Sequence, residues 1–111
     1  MHRLPDLLPT AAPALLHGDL WGGNTARLPN NQAVIYDPAV YFGHREVEIA
    51  FTELFGGFPT AFYAAYQAVL PLEPGYEARR PLYQLYPLLV HMNLFGGHYG
   101  AAVDRVAQQV L

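Results

Sequence analysis

The chain has neither cysteine nor lysine. Without cysteine, disulfides and thiolate metal sites are excluded, which fits a reducing cytoplasm, the expected location. Without lysine, the six cationic residues are all arginine: Arg3, Arg27, Arg45, Arg79, Arg80 and Arg105. They are scattered along a chain of formal net charge −3, so no basic stripe exists and nucleic acid is not expected as a partner. Long hydrophobic runs are lacking too. Met1-His2-Arg3 leads into no extended apolar segment, and neither a signal peptide nor a membrane span is expected. A glycine-rich phosphate-cradling loop is also absent from the sequence. What remains is 111 residues, 52% of them hydrophobic and only 14% charged. That length is one domain or part of one. So apolar a composition implies surface covered by another lobe or by a second copy of the chain, unless it merely reflects abundant alanine and tyrosine.

Prolines 5, 9 and 13 exclude a long helix near the start, which reads as the tail of an earlier element plus a linker. Ala14-Leu15-Leu16-His17 reads as a short buried strand entering a turn at Gly18. Residues 25–28 and 33–36 flank Pro29-Asn30-Asn31-Gln32, the pattern of a β-hairpin. That hairpin would bring Asn24 and Asp37 towards each other. From Gly43 the period becomes helical, with Val47, Ile49, Ala50, Leu54 and Phe55 on one face and Gly56-Gly57 as the stop. Thr60 is placed to cap a second helix that ends before Pro71. A third opens at Pro74, with Pro81 in a first turn and Pro87 as a kink, and breaks at Gly96-Gly97. A last amphipathic helix runs from about Tyr99, with Ala102, Val103, Val106 and Val110 on one face. The expected fold is mainly α with a small β-hairpin, an α+β arrangement on four helices.

The residues with chemistry cluster early. His17-Gly18-Asp19-Leu20-Trp21-Gly22-Gly23-Asn24 carries an acid and, five positions on, an amide; a second acid follows at Asp37. Asp19 reads either as an acid that takes the proton of an attacking hydroxyl or as a turn-stabilising aspartate after glycine. Asn24 and Asp37 offer oxygen ligands of the kind magnesium takes alongside phosphates and water, or are turn residues. Pro38 is expected to hold Asp37 in an extended conformation, aiming its carboxylate out of the strand end. Spaced this way, the three match the catalytic loop and metal turn of kinase-like phosphotransferases, where one carboxylate orients a hydroxyl and oxygen ligands hold magnesium. His17 reads as a prop for the loop backbone. Trp21 is either a wall for the acceptor or a core tryptophan. Glu46 and Glu48 read as complements to a helix dipole, while His44 and Arg45 lie close in sequence to the metal turn and are candidates to face acceptor or phosphate. His91, Asn93 and His98 lack the ligand density of a zinc site and read as packing or capping residues.

The motif around Asp19, together with Asp37-Pro38-Ala39-Val40-Tyr41-Phe42-Gly43-His44-Arg45-Glu46, Thr52-Glu53-Leu54-Phe55-Gly56-Gly57-Phe58 and Asn93-Leu94-Phe95-Gly96-Gly97, closely resembles the fructosamine (ketosamine) kinase family. The first block alone would also fit aminoglycoside and choline phosphotransferases; the later blocks are more specific. The resemblance runs from about Leu4 to the end. It implies the C-terminal lobe of a protein-kinase-like fold over residues 1–111, without the N-terminal ATP-binding lobe. It also implies ATP-dependent phosphorylation of a sugar hydroxyl on a ketosamine, a glycated amine or protein lysine, as a step in protein deglycation. The same resemblance makes Asp19 the catalytic base, Asn24 and Asp37 the Mg2+ ligands, and Trp21 part of the acceptor pocket, with His44 as a second substrate-binding candidate. The isolated lobe is expected to be inactive. Three alternatives stay open: an aminoglycoside- or choline-type phosphotransferase, a non-catalytic helical fragment that self-associates, and, last in order, a metal-dependent hydrolase built on His17, Asp19, Asp37 and His44.

Overall fold

The hairpin is where sequence and structure agree most closely. In the computed structural model, which describes residues 8–95 and 100–110, strands β2 (Thr25–Arg27) and β3 (Ala33–Ile35) pair antiparallel, with Ala26 opposite Val34. The turn between them closes through Leu28 N–H to the Gln32 carbonyl and Asn31 N–H to the Leu28 carbonyl, both 2.9 Å. Asn31 adopts φ +69°, a left-handed conformation that asparagine tolerates better than most residues. A second two-stranded sheet pairs β1 (Ala14–Leu16) with β4 (Tyr41–Gly43), Leu15 lying opposite Phe42. The sequence reading found β1 but not β4. Leu16 is buried while its neighbours Leu15 and Phe42 are 64% and 72% exposed, so this sheet covers only one of its faces.

Four helices follow: α1 (Arg45–Thr52), α2 (Thr60–Val69), α3 (Tyr76–Phe95) and α4 (Gly100–Val110). Together with the hairpin they make the described chain mainly helical, as expected. Helix α1 is the centre of the molecule. Ile49 and Ala50 pack with Tyr76 and Tyr83 of α3 to form the core, ringed by Val47, Tyr63, Tyr66 and Leu72. Glu46, expected to complement the helix dipole, is instead fully buried and ion-paired with Arg79 at 2.6 Å. The Tyr83 hydroxyl donates to the same carboxylate at 3.1 Å. Burial, and then the Glu46 charge, push the Tyr83 hydroxyl up to about 12, because a phenolate there would lie desolvated beside a carboxylate. At the far end of α1, Gly56 and Gly57 take φ +92° and +71° as the chain turns towards α2.

Two expectations about helix ends need correction. Thr60 is the first residue of α2 rather than its cap; Pro59 holds the cap position and makes no side-chain capping bond. Pro81 is the sixth residue of α3, not part of a first turn, and the helix continues past both Pro81 and Pro87. Each proline lacks the N–H that would reach back one turn, freeing the carbonyls of Glu77 and Tyr83. Helix α2 buries no residue fully; it is tied down by side-chain hydrogen bonds. Tyr63 joins Thr52 at 3.0 Å and accepts Phe58 N–H at 3.1 Å. Arg45 donates to the Tyr66 hydroxyl and to the Leu70 carbonyl. Helix α4 lies on α3, with Val106 and Leu88 buried. The expected break at Gly96-Gly97, the residue His98 and the Tyr99 start of the last helix lie outside the described residues. The radius of gyration is 15.0 Å, wider than the roughly 13 Å usual for a self-contained domain of this length. Among the described residues no helix is long and apolar enough to cross a membrane.

Candidate functional site

The loop that carries Asp19 is held from three directions. Gly18 sits at φ +91°, and a Cβ there would fall 1.9 Å from the Ala39 carbonyl oxygen, so only glycine fits. On the same contact, Ala39 N–H donates to the His17 carbonyl at 2.8 Å. The buried His17 ring forms the second tie. Its Nδ1 accepts Asp19 N–H at 3.1 Å, and its Nε2 lies 2.8 Å from the Tyr36 carbonyl. With Nδ1 accepting, Nε2 is the ring nitrogen placed to donate to that carbonyl. The expected prop is thus observed, and it links the Asp19 loop to the end of β3. The third tie is Glu48. Its carboxylate accepts His17 N–H at 3.0 Å and Gly18 N–H at 2.8 Å, one on each oxygen.

Asn24 closes a short 3-10 turn, Gly22–Asn24, and is buried. Its Nδ2 donates to the Asp19 carbonyl at 2.8 Å and to the Asp19 carboxylate at 3.1 Å. Both amide hydrogens are thereby committed to Asp19, which fixes the orientation of the amide and makes Oδ1 the atom available to a hard cation. The Asn24 carbonyl accepts Tyr36 N–H at 3.0 Å, which seats residue 37 beside this turn. Asp37 is not extended: it has φ +55°, against the expectation from Pro38. Main-chain hydrogen bonds at Tyr36 and Ala39, on either side, force the chain through this tight reversal, and aspartate tolerates it better than a branched residue. Asp19, Asn24 and the Asp37 turn are therefore gathered on one hydrogen-bonded unit.

Of the other two expected site residues, Trp21 belongs to the same loop, its carbonyl accepting Asn24 N–H at 2.9 Å, and His44 stands at the start of α1. Trp21 is 43% exposed and folds over Gly23, where a Cβ would meet its ring at 2.3 Å. His44 is the N-cap of α1: its Nδ1 accepts Glu46 N–H at 3.1 Å and its ring stacks on Tyr83. The His44 Nε2 atom is buried and has no hydrogen-bond partner among the described residues. Beneath Asp19 opens a cleft of about 460 Å³, walled by Glu48, Tyr41, Phe51, Tyr86 and His91. Burial, then the Glu48 charge, raise the Tyr41 hydroxyl above its ordinary value. An apolar groove of about 700 Å³ lies between the hairpin and α1–α2, bounded by Leu15, Ile35, Ile49 and Phe62. Among the described residues no group of three or more His, Cys, Asp or Glu side chains could hold a metal by themselves. An amide and one acid suit magnesium, which keeps several waters and takes much of its shell from phosphate oxygens.

The fructosamine kinase family model matches residues 4–111. The chain belongs to that family. A protein of Synechocystis described as a probable ketoamine kinase is 54% identical over 97% of this chain, which corresponds to 36% of that protein. The mouse ketosamine-3-kinase is 48% identical over 87% of the chain and 32% of its own length. A solved structure from Thermobifida fusca, a candidate fructosamine-3-kinase, superposes with a TM-score of 0.86 at 42% identity. It covers 97% of this chain and 38% of the other. The chain thus spans about a third of the length of the relatives it matches.

In this fructosamine kinase family member, sequence reasoning overlooked Glu48 and Tyr41. A signal for Glu48 was present: two residues apart on a helix, Glu46 and Glu48 face nearly opposite ways, so they cannot share one solvated face. Tyr41 was hidden because β4 is only three residues long.

Proposed function

We propose that these residues are the catalytic-loop lobe of an ATP-dependent, cytoplasmic kinase that phosphorylates ketosamines, sugars joined to an amine as on glycated protein lysines. The observation that carries this reading is the junction of Asp19, Asn24 and the Asp37 turn. Family membership and the names of the relatives support the substrate class. In the reaction the bond from the ATP γ-phosphorus to its bridging oxygen breaks and a bond to the ketosamine hydroxyl oxygen forms. The hydroxyl proton passes to the Asp19 carboxylate and ADP leaves. Asn24 and Asp37 would hold Mg2+, which neutralises charge on the phosphates when bound. Trp21, exposed two residues beyond Asp19, serves as an acceptor wall. His44 contributes by capping α1, which in turn presents Glu48 to the loop. The phosphorylated adduct then releases its amine, which makes deglycation the biological role.

Positioning of the phosphates belongs, in this reading, to the N-terminal lobe, whose sheet packs over the exposed apolar surface at Leu15, Ile35 and Phe42. Alone, the 111 residues are expected not to turn over at a useful rate. The test is transfer from ATP to Nε-fructosyl-lysine by this chain supplied with an N-terminal lobe. The expected result is transfer that falls by at least about a hundredfold in Asp19→Asn. Absence of transfer to any ketosamine overturns the reading. Calorimetric titration of Mg-ATP into the chain alone and into Asp37→Ala shows whether the metal ligands function without that lobe. A second reading rests on the same exposed apolar residues: a fragment that pairs with its own copy. Light scattering that reports a stable dimer without nucleotide binding would favour it. No observation favours an aminoglycoside- or choline-type acceptor.

A further inference from the structure

The cleft beneath Asp19 has an unusual lining for a site that handles phosphorylated compounds. Its acids are Asp19 and Glu48, and among the described residues it contains no arginine; the whole chain contains no lysine. A phosphate or carboxylate entering it would meet two carboxylates and, of basic side chains among the described residues, the His91 ring, whose Nδ1 already faces the Pro87 carbonyl at 2.8 Å. Apart from His91, the remaining wall is aromatic and aliphatic: Tyr41, Phe51 and Tyr86, with Val47 and Val90. Tyr86 stands in the middle of α3 yet is 76% exposed, and Tyr41 is 45% exposed, so both rings remain available to a ligand. The Glu48 carboxylate is fixed by the His17 and Gly18 amides and therefore keeps its place in the wall. Aromatic faces beside fixed carboxylates select a cation carried on an apolar body.

A ketosamine has that form. Its secondary amine is protonated at neutral pH, lies a few bonds from the acceptor hydroxyl, and continues into an alkyl chain. We infer that this cleft holds the protonated amine of the substrate and the alkyl group beyond it, with Tyr41, Phe51 and Tyr86 as the walls that distinguish a ketosamine from a free sugar. The inference rests on the kinase reading above and adds to it the feature that sets specificity. The amine side of the substrate lies towards α3, and the phosphate donor approaches from the Asn24–Asp37 side.

The test compares Nα-acetyl-Nε-fructosyl-lysine with an ether in which oxygen replaces the bridging nitrogen, neutral at every pH. Both are titrated into the 111-residue chain and followed by NMR shifts. The amine is expected to bind at least tenfold more tightly than the ether. In Tyr86→Ala that preference should fall to threefold or less, while Tyr86→Phe retains it. The exposed position of Tyr86 makes these variants fold like the parent, which their melting curves check. Equal affinity for the two compounds, binding of neither, or an unchanged preference in Tyr86→Ala overturns the inference. The transfer assay separates the two levels. Transfer to the amine and the ether with equal kcat/KM overturns this inference alone, whereas loss of transfer to every ketosamine overturns the reading beneath it.

Discussion

Glu46 and Glu48 stand two residues apart on α1 and hold together two different regions. Glu46 faces α3 and is sealed in the helical half with Arg79 and Tyr83. Glu48 faces the loop half and orders the backbone that carries Asp19. The helical half derives its stability from packed aromatic and aliphatic side chains around the buried Glu46–Arg79 ion pair. The loop half buries few apolar side chains, and main-chain amides and carbonyls hold it in place. Stability and candidate-site geometry are assigned to opposite faces of a single eight-residue helix, and so can be perturbed separately.

The largest expected effect is on the helical half. Glu46→Ala leaves the Arg79 guanidinium without its buried partner, a loss of about 3–5 kcal/mol, and thermal melts should show a collapsed or strongly destabilised chain. Glu48→Ala should cost less, about 1–3 kcal/mol for each amide left without an acceptor. Its helical circular dichroism should be preserved while Mg-ATP affinity and transfer fall. If both variants melt alike, the two halves are not separable.

Alkaline pH acts on the helical half through a different group. The Tyr83 hydroxyl in the folded protein, at about 12, lies above its ordinary value of 10.0. The folded state therefore holds that proton more tightly than the unfolded chain. Its contribution is complete below pH 10 and is lost as the pH rises towards 12. Melting midpoints across that window should fall, and Tyr83→Phe should flatten the decline. The Tyr76 hydroxyl, raised by burial and by its bond to Glu53, acts in the same direction.

The loop half gives the smallest and most selective effect. Asp37→Gly relieves a left-handed backbone on a non-glycine residue, worth up to about 1 kcal/mol, while removing a proposed cation ligand. A slightly more stable chain that no longer binds Mg-ATP is the expected outcome. A less stable one would mean that the Asp37 carboxylate has a structural role.

These contrasts also explain how much was legible in the sequence. Pro29-Asn30-Asn31-Gln32 between two short strand-like segments marked the hairpin, because turn chemistry is local. The spacing of Asp19, Asn24 and Asp37 made their gathering legible, because a loop, a short turn and a hairpin fix where they lie. His17 was legible as a prop for the same reason. The β4 strand was not, since it pairs with β1 more than twenty positions away and shows no periodicity of its own. The conformation of Asp37 was misread because a rule about the following proline was outweighed by hydrogen bonds from Tyr36 and Ala39. Glu46 was misjudged for a related reason: its partners, Arg79 and Tyr83, lie on α3, and no local pattern announces such a pairing.

The contact of Gly18 with the Ala39 main chain has one more consequence. With no room for even a methyl group between them, the segment before the proposed base and the segment after the proposed metal ligand behave as one part. Substrate at Asp19 should therefore slow hydrogen exchange at the Ala39 amide, and metal at Asp37 should slow it at Asp19, as if a single latch had been pressed from two ends.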